Sequence, residues 1–430
     1  MEHYDVIVLG GGIAGLAAAV KSARLGAKTA LIEQYAFAGG MATAGMVSPF
    51  MKFEIAGDRL VKGIFLELEQ RMTAIGGMVN NGFSGDAFRN VAWQLLTEAE
   101  VHPIFNAALI SAEMRESHIQ SVTFQKNGHS QSLSAKNFID SSGDAQLLFL
   151  AGLPFQKGEK LQALTLFFRM GGLDLQTIVE TVKREPQNFL PWVDSDFQEG
   201  RIYSVAGWLR EIKAAQKAGK LHEALQYIFF TTLPGSGEAS FNSSNICALD
   251  GSSSQDLTRA EWIGRQQVHQ IVRLLQDEIP GFEKSYLIET APQVGVRETR
   301  RALGDYIVTG KDIMQARKFP HAIARGCYGV DIHGQADESS VMDEIPENDF
   351  YEVPLEALLV KDAVNLMVAG RCVSATRKGH GALRIMPTSA AMGEAAGALS
   401  ALAATQGKAL RSVDYLSLKN EIKHNLKEEQ

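Results

Sequence analysis

Hydrophobic positions near the amino terminus fall in continuous runs rather than alternating. Residues 4–9 (YDVIVL) have the pattern of a strand buried on both faces. From Ile13 to Leu25 the chain is apolar nearly all round, which predicts a buried helix that Gly26 ends. Residues 28–33 (KTALIE) predict a second strand, so this segment reads as a βαβ unit. A helix is expected over 86–100 and a strand at VHPIF, 101–105. Residues 107–139 alternate through short strands with a turn at Asn127-Gly128, the pattern of a β-meander.

From about Phe155 the texture changes. Residues 162–170 (QALTLFFRM) predict a strand, and helical segments are expected near 174–184 and 205–230. Residues 234–257 are rich in Gly and Ser and read as a loop. Thr258-x-x-Glu261 has the form of a capping box for a helix running to Glu278, ended by Pro280-Gly281. Buried-strand texture returns at 364–369 (VNLMVA), and a last helix of small residues starts near Pro387. The expected fold is α/β: a Rossmann-like domain with a parallel sheet and a β-meander, built from residues 1–154 and 351–430. A second, α+β substrate or cap domain is expected over 155–350. A chain of 430 residues is long enough for both.

Composition narrows the function classes. Apolar residues make up 45% and charged residues 21%, ordinary values for a globular protein. A formal net charge of -7 argues against nucleic acid or an anionic membrane as partner. Cys247, Cys327 and Cys372 lack CxxC spacing, so neither a zinc set nor a redox disulfide is expected, and no metal. Residues 388–404 contain Glu394 and are mostly small, too weakly apolar for a membrane span. The short acidic start before the first strand does not have the form of a leader. The expectation is a soluble, cytoplasmic protein.

The turn after the first strand reads Gly10-x-Gly12-x-x-Gly15, and Glu33 follows 18 residues after Gly15. This is the spacing of a dinucleotide fingerprint: Gly10 makes the turn, Gly12 lets a pyrophosphate approach backbone, and Gly15 lets helix and strand pack closely. The start of the helix, with Ile13 and Ala14, offers N–H groups and a positive dipole end to phosphates. Glu33, with Gln34 beside it, suits ribose hydroxyls and would repel a 2′-phosphate. A tight turn that merely packs a helix on a strand is the plainer alternative. Further residues along the chain point to a long, extended ligand. Gly39, Gly40 and Met41 follow the second strand closely, and Ser142, Gly143 and Asp144 follow the strand ending at Asp140. Near the other end stand Gly370, Arg371, Arg384, Thr388 and Ser389. A nicotinamide enzyme with one Rossmann domain has no need of contributions so far down the chain; FAD does, and FAD is the expected cofactor.

On these three segments the sequence resembles the bacterial FAD-dependent oxidoreductases, with an FAD domain of the fumarate-reductase and glutathione-reductase style. Some members of this branch also carry the name xanthan lyase. The resemblance extends over Leu164–Arg169, the Gly295-Val296-Arg297-Glu298-Thr299-Arg300-Arg301 run, Asp305-Tyr306 with Ile307 and Thr309, and Tyr328-Gly329-Val330-Asp331-Ile332-His333. Arg371 stands where many flavoproteins carry an aspartate.

Flavin chemistry asks the protein to position a substrate, tune the ring and move a proton. His333 is the leading acid/base candidate, with a structural histidine as the alternative. Arg297 is a candidate clamp for an anionic substrate, Arg169 a weaker one, and internal ion pairs are the alternative for both. Arg384 and the helix start at Thr388 and Ser389 are placed to meet negative charge on a flavin. His380 is a second acid/base candidate, between glycines 379 and 381 that suggest a nearby ligand or a plain loop. The expected reaction is hydride transfer between a small organic substrate and flavin N5. The resemblance implies a carbohydrate or a carboxylic or hydroxy acid as substrate. A separate electron acceptor is expected, and a homodimer is allowed. The alternatives are an NAD-dependent dehydrogenase and a flavin-binding protein without catalysis.

Overall fold

A computed structural model of the chain describes residues 1–427 apart from 195, 197, 199, 235–236 and 336–339. The first part runs β1 (Glu2–Leu9), α1 (Ile13–Arg24), β2 (Thr29–Ile32), α2 (Gly63–Ala74), α3 (Gly85–Glu98), β3 (His102–Ile104), β4 (Ala108–Arg115), β5 (His118–Lys126) and β6 (His129–Asp140). The sheet order is β3-β2-β1-β6-β5-β4. β1 lies between β2 and β6 and is parallel to both, which is why Val6, Ile7 and Val8 are fully buried. β6 serves two partners. Its first residues pair antiparallel with β5 across the Asn127-Gly128 turn, and its last three pair parallel with residues 366–368. Leu9, Asp140 and Val368 therefore stand side by side at one edge. The three glycine-bearing segments expected to hold a cofactor leave the sheet from that edge.

The middle of the chain adds α4 (Gln146–Leu150), β7 (Phe168–Gly171), α5 (Leu175–Arg184), β8 (Ser204–Gly207), α6 (Leu209–Lys217), β9 (Ile228–Thr232), β10 (Glu238–Phe241), α7 (Ser254–Glu278) and β11 (Tyr286–Thr290). These strands form an antiparallel sheet in the order β8-β9-β10-β7-β11. Phe168, Phe230 and Phe241 are in register on one face, with ring centroids 4.8 Å and 5.1 Å from that of Phe241. They form one core with Val268, Ile271 and Leu275 of α7.

Four element expectations are corrected here. Residues 205–230 are not one helical region: only 209–217 coils, between two strands, and the break falls at Trp208 in a left-handed conformation with φ 61°. The apolar runs on either side are strands buried in the core, which composition alone does not separate from helix. The helix is capped one turn earlier than Thr258, by a simple N-cap and not a capping box. The Ser253 hydroxyl accepts from Asp256 N–H at 3.3 Å, while the Thr258 hydroxyl sits inside α7 and donates to Ser254 O. The Gly/Ser-rich segment expected as loop contains β10, and the strand expected over 162–170 joins its ladder only from Phe168.

Further along the chain lie β12 (Val330–Ile332), β13 (Val341–Asp343), β14 (Leu366–Val368), α8 (Arg377–Leu383) and α9 (Met386–Gln406). Apolar residues from 164 to 296 have a core of their own, whereas Val308, Ile323, Val330 and Val353 join the core of the first sheet. α9 lies directly on α1. A Cβ at Gly393 would stand 2.0 Å from Ala14 O, and one at Gly397 would stand 2.2 Å from Ala18 O. The small residues of α9 thus serve backbone-to-backbone packing. No helix among the described residues is long and apolar enough to cross a membrane.

Candidate functional site

The edge of the first sheet is shaped by glycines with different jobs. Gly10 has φ 90°, and a Cβ there would lie 2.6 Å from Ser141 O. A Cβ on Gly15 would lie 1.8 Å from Gly10 O. Both positions exclude side chains through contacts within the protein. Gly12 differs: a Cβ there meets nothing nearer than Gly40 Cα at 4.0 Å, and no side chain caps α1 at this residue. Gly39 N–H donates to Gly11 O at 2.7 Å, which lays the Gly39-Gly40 segment across the turn. Met41 follows, packed beside Gly45.

Glu33 is buried and accepts from Gly11 N–H at 2.5 Å and Tyr35 N–H at 2.8 Å. Burial raises its pKa, opposed by the amides of Tyr35, Gly11 and Gln34. It therefore ties the glycine turn to the end of β2. The Gln34 side chain is exposed.

The other two segments meet the first. Asp140 is fully buried. One of its carboxylate oxygens accepts from the Ser142 amide and hydroxyl, the other from the Leu147 and Leu148 amides that open α4. Gly143, at φ 78°, leaves room for Arg371, whose Nη2 would be 2.7 Å from a Cβ. Arg371 pairs with Asp144 at 2.9 Å, and Thr299 donates to the same oxygen. Arg371 Nη1 is buried and has no partner among the described residues. A Cβ on Gly370 would lie 3.0 Å from Ala14 Cβ and 3.9 Å from Ser389 Oγ. Thr388 and Ser389 are buried in the uncapped first turn of α9, and Ile13 is buried at the start of α1. The sequence-predicted cofactor residues are thus gathered in one place, except Arg384.

Arg384 belongs to a second, polar cluster. Its Nη2 donates to Asp331 Oδ2 at 3.0 Å and to Asp331 O at 3.2 Å. Tyr328 donates to the same Oδ2 at 3.0 Å. His333 Nε2 lies 3.6 Å from Asp331 Oδ1, and its backbone N–H donates to Gln162 Oε1 at 3.1 Å. Arg297, buried, donates to Ala163 O at 2.7 Å and to Asn242 Oδ1 at 3.0 Å, and makes no ion pair among the described residues. Arg297 and His333 line one cavity with Tyr227, Asn242, Ser243 and Gln226 among its other walls.

Charge in this cluster is set by burial and by two cations facing one carboxylate. Burial would raise Asp331, but Arg384, His333 and Arg297 hold it well below the usual carboxylate range. Burial and then Arg297 push the His333 imidazole down to about 4, against a smaller pull from Asp331, so it is neutral at pH 7. Burial and Arg384 push Arg297 down to about 10, which leaves it cationic at neutral pH.

The remaining candidates lie elsewhere. His380 is fully buried in α8, with Nε2 2.9 Å from Arg371 O, and burial followed by Arg301, Arg384 and Arg371 pushes its pKa well down. Its flanking glycines pack α8: a Cβ at Gly379 would lie 2.4 Å from Val308 O, and one at Gly381 would lie 2.9 Å from Asp331 O. They stand in a helix and not in a plain loop. Arg169 faces Glu238 and Glu289 on the second sheet. Of the arginine run, only Arg297 reaches the cavity. Arg301 pairs with buried Glu298, and Arg300 donates to Asp144 O and covers the Phe149 ring at 4.1 Å. Sequence reasoning missed Gln162, Tyr227 and Asn242, and quoted Asp331 without a role. The Tyr328-x-x-Asp331-x-His333 spacing was the available signal; the others carry none.

No curated protein matches the chain. Among solved structures, a geranylgeranyl bacteriochlorophyll reductase-like protein of Thermoplasma acidophilum is similar over 98% of this chain and 83% of its own, at 15% identity and a TM-score of 0.51. That likeness shows the fold. A flavoprotein/dehydrogenase of Cytophaga hutchinsonii (14% identity, 99% and 82% covered, TM-score 0.47) and an L-proline dehydrogenase of P. horikoshii (11%, 98% and 98%, 0.46) are also similar. The family described as FAD dependent oxidoreductase matches residues 5–422. With nearly the whole chain matched, the protein belongs to the FAD-dependent oxidoreductase family, and its cofactor is FAD.

Proposed function

We propose that the protein oxidises or reduces a small hydroxylated carboxylate held between Arg297 and His333. The observation that carries this reading is Arg297: a buried cation with no ion-pair partner among the described residues, in one cavity with a neutral imidazole. Its planar fork suits a carboxylate. The amide and hydroxyl side chains in the walls suit further oxygens on the substrate.

The residues at the sheet edge fit FAD. Gly12 is the one fingerprint glycine with open space beside it, and Arg371 holds a buried, unpaired guanidinium nitrogen there. The α1 start and Arg371 would hold the diphosphate, and Glu33 the adenosine ribose. FAD, when bound, supplies two-electron redox chemistry. The protein's own part is to fix the substrate carboxylate on Arg297 and to take the hydroxyl proton on His333 in the direction of oxidation. His380, buried against the Arg371 carbonyl, serves to position that segment. The substrate domain is proposed to run from about residue 155 to about 300 instead of to 350, a reading supported by the separate core of residues between 164 and 296.

The test is an anaerobic screen of the purified yellow protein against hydroxy acids, sugar acids and neutral sugars, following the visible flavin band. Bleaching by hydroxylated carboxylates supports the reading. A colourless protein that cannot be reconstituted with FAD, or a yellow one that no member bleaches, contradicts it.

A further inference from the structure

We propose that Asp331 is the positioning residue of His333, holding the ring in the tautomer with Nε2 protonated and leaving Nδ1 as the proton acceptor. Asp331 is the middle residue of β12. Its neighbours Val330 and Ile332 are buried, so strand alternation turns Asp331 to the other face. There its two oxygens have different surroundings. Oδ2 is filled by Arg384 and Tyr328, both at 3.0 Å. Oδ1 is the oxygen that faces His333 Nε2.

The charges decide the tautomer. Arg297 and Arg384 both favour the anion, and an ionised carboxylate can only accept hydrogen bonds. The imidazole nitrogen facing it must then be the N–H. In a neutral ring the other nitrogen carries the free lone pair. At 3.6 Å the contact is longer than a formed hydrogen bond, and such contacts tighten when a ligand closes the site. Both partners are anchored independently. Arg384 bonds the Asp331 carbonyl as well as its carboxylate, and Gln162 holds the His333 amide. Gly381 lets α8, which Arg384 follows directly, lie against Asp331. The charged and titratable groups around the ring are thus Asp331, Arg297 and Arg384, with Tyr328 on the carboxylate and Tyr227 in the cavity wall.

The role of Nδ1 as acceptor rests on the function proposed above; the tautomer does not. The experiment is ¹⁵N NMR of the FAD-loaded protein labelled on histidine ring nitrogens, at neutral pH, with His333 assigned by its loss in H333Q. The expected result is the Nε2–H tautomer. In D331N, Arg384 keeps the amide oxygen and the NH₂ turns to His333, so the Nε2–H signature is lost in favour of Nδ1–H. D331E is expected to restore it. A parent protein with Nδ1–H, or a tautomer unchanged in D331N, overturns the proposal. The parent spectrum decides the matter even where D331N fails to fold. Failure of every hydroxy acid to bleach the flavin would remove the proposed function and leave this result standing.

Discussion

His333 should make the protein sensitive to acid in a narrow window, and the size of the effect follows from its surroundings. Burial and the Arg297 charge hold its imidazole at about 4, against 6.5 for the unperturbed group. Between those values the unfolded chain binds the proton and the folded protein does not. Stability from this residue is therefore intact above 6.5 and is lost as pH falls towards 4. Going from about pH 7.5 to about pH 5, the loss comes to about 2 kcal/mol. His380 acts in the same direction but is present in both proteins compared, and Asp331 is held ionised throughout this range. The perturbation is H333Q, and the assay is urea unfolding of the FAD-loaded protein at the two pH values. The parent should lose about 2 kcal/mol more than the variant on acidification. Equal losses in both proteins would refute the reasoning and mean that His333 titrates normally.

The remaining expectations concern the cofactor side and its packing. Gly393→Ala puts a Cβ 2.0 Å from Ala14 O and should lower stability by about 1–3 kcal/mol in urea melts. Gly26→Ala, with nothing within 4 Å and φ 84°, should cost only about 1 kcal/mol in the same melts. Glu33→Ala removes the acceptor for the Gly11 and Tyr35 amides, so FAD affinity, followed by fluorescence of released flavin, should fall at least ~10-fold. Arg371→Met leaves Asp144 with Thr299 and Arg300 but no ion pair, and should weaken FAD binding by about 10–100-fold by equilibrium dialysis.

The cofactor half of the molecule was legible because its signals are local. β1, α1 and β2 are short runs of uniform texture, and the distance from Gly15 to Glu33 spans one βαβ unit. The strands ending at Asp140 and Val368 could be read as buried runs followed by glycine. The substrate half was less legible. β8, α6 and β9 were merged because two buried apolar strands flank one amphipathic helix, and nothing in the composition marks Trp208 as the break. The functional cluster was half visible. His333 and Arg297 drew attention by residue type, but Arg384 meets Asp331 across 53 positions, and Gln162 meets His333 across 171. Those contacts depend on how α8 packs against β12, which no local pattern encodes. Glycines 379 and 381 were ambiguous for the same reason, since the backbone they press against lies far away in sequence.

The most direct measurement of the central claim is an anaerobic titration of the yellow parent protein and R297M with the hydroxy acid that bleaches the flavin. The variant removes the guanidinium of the cavity, which has no ion-pair partner among the described residues, and leaves the residues at the FAD edge untouched. The account predicts an unchanged flavin spectrum in R297M before substrate is added, and a need for about 100-fold more acid to reach half-bleaching. Equal bleaching of both proteins, or bleaching by a neutral sugar as readily as by an acid, would contradict it.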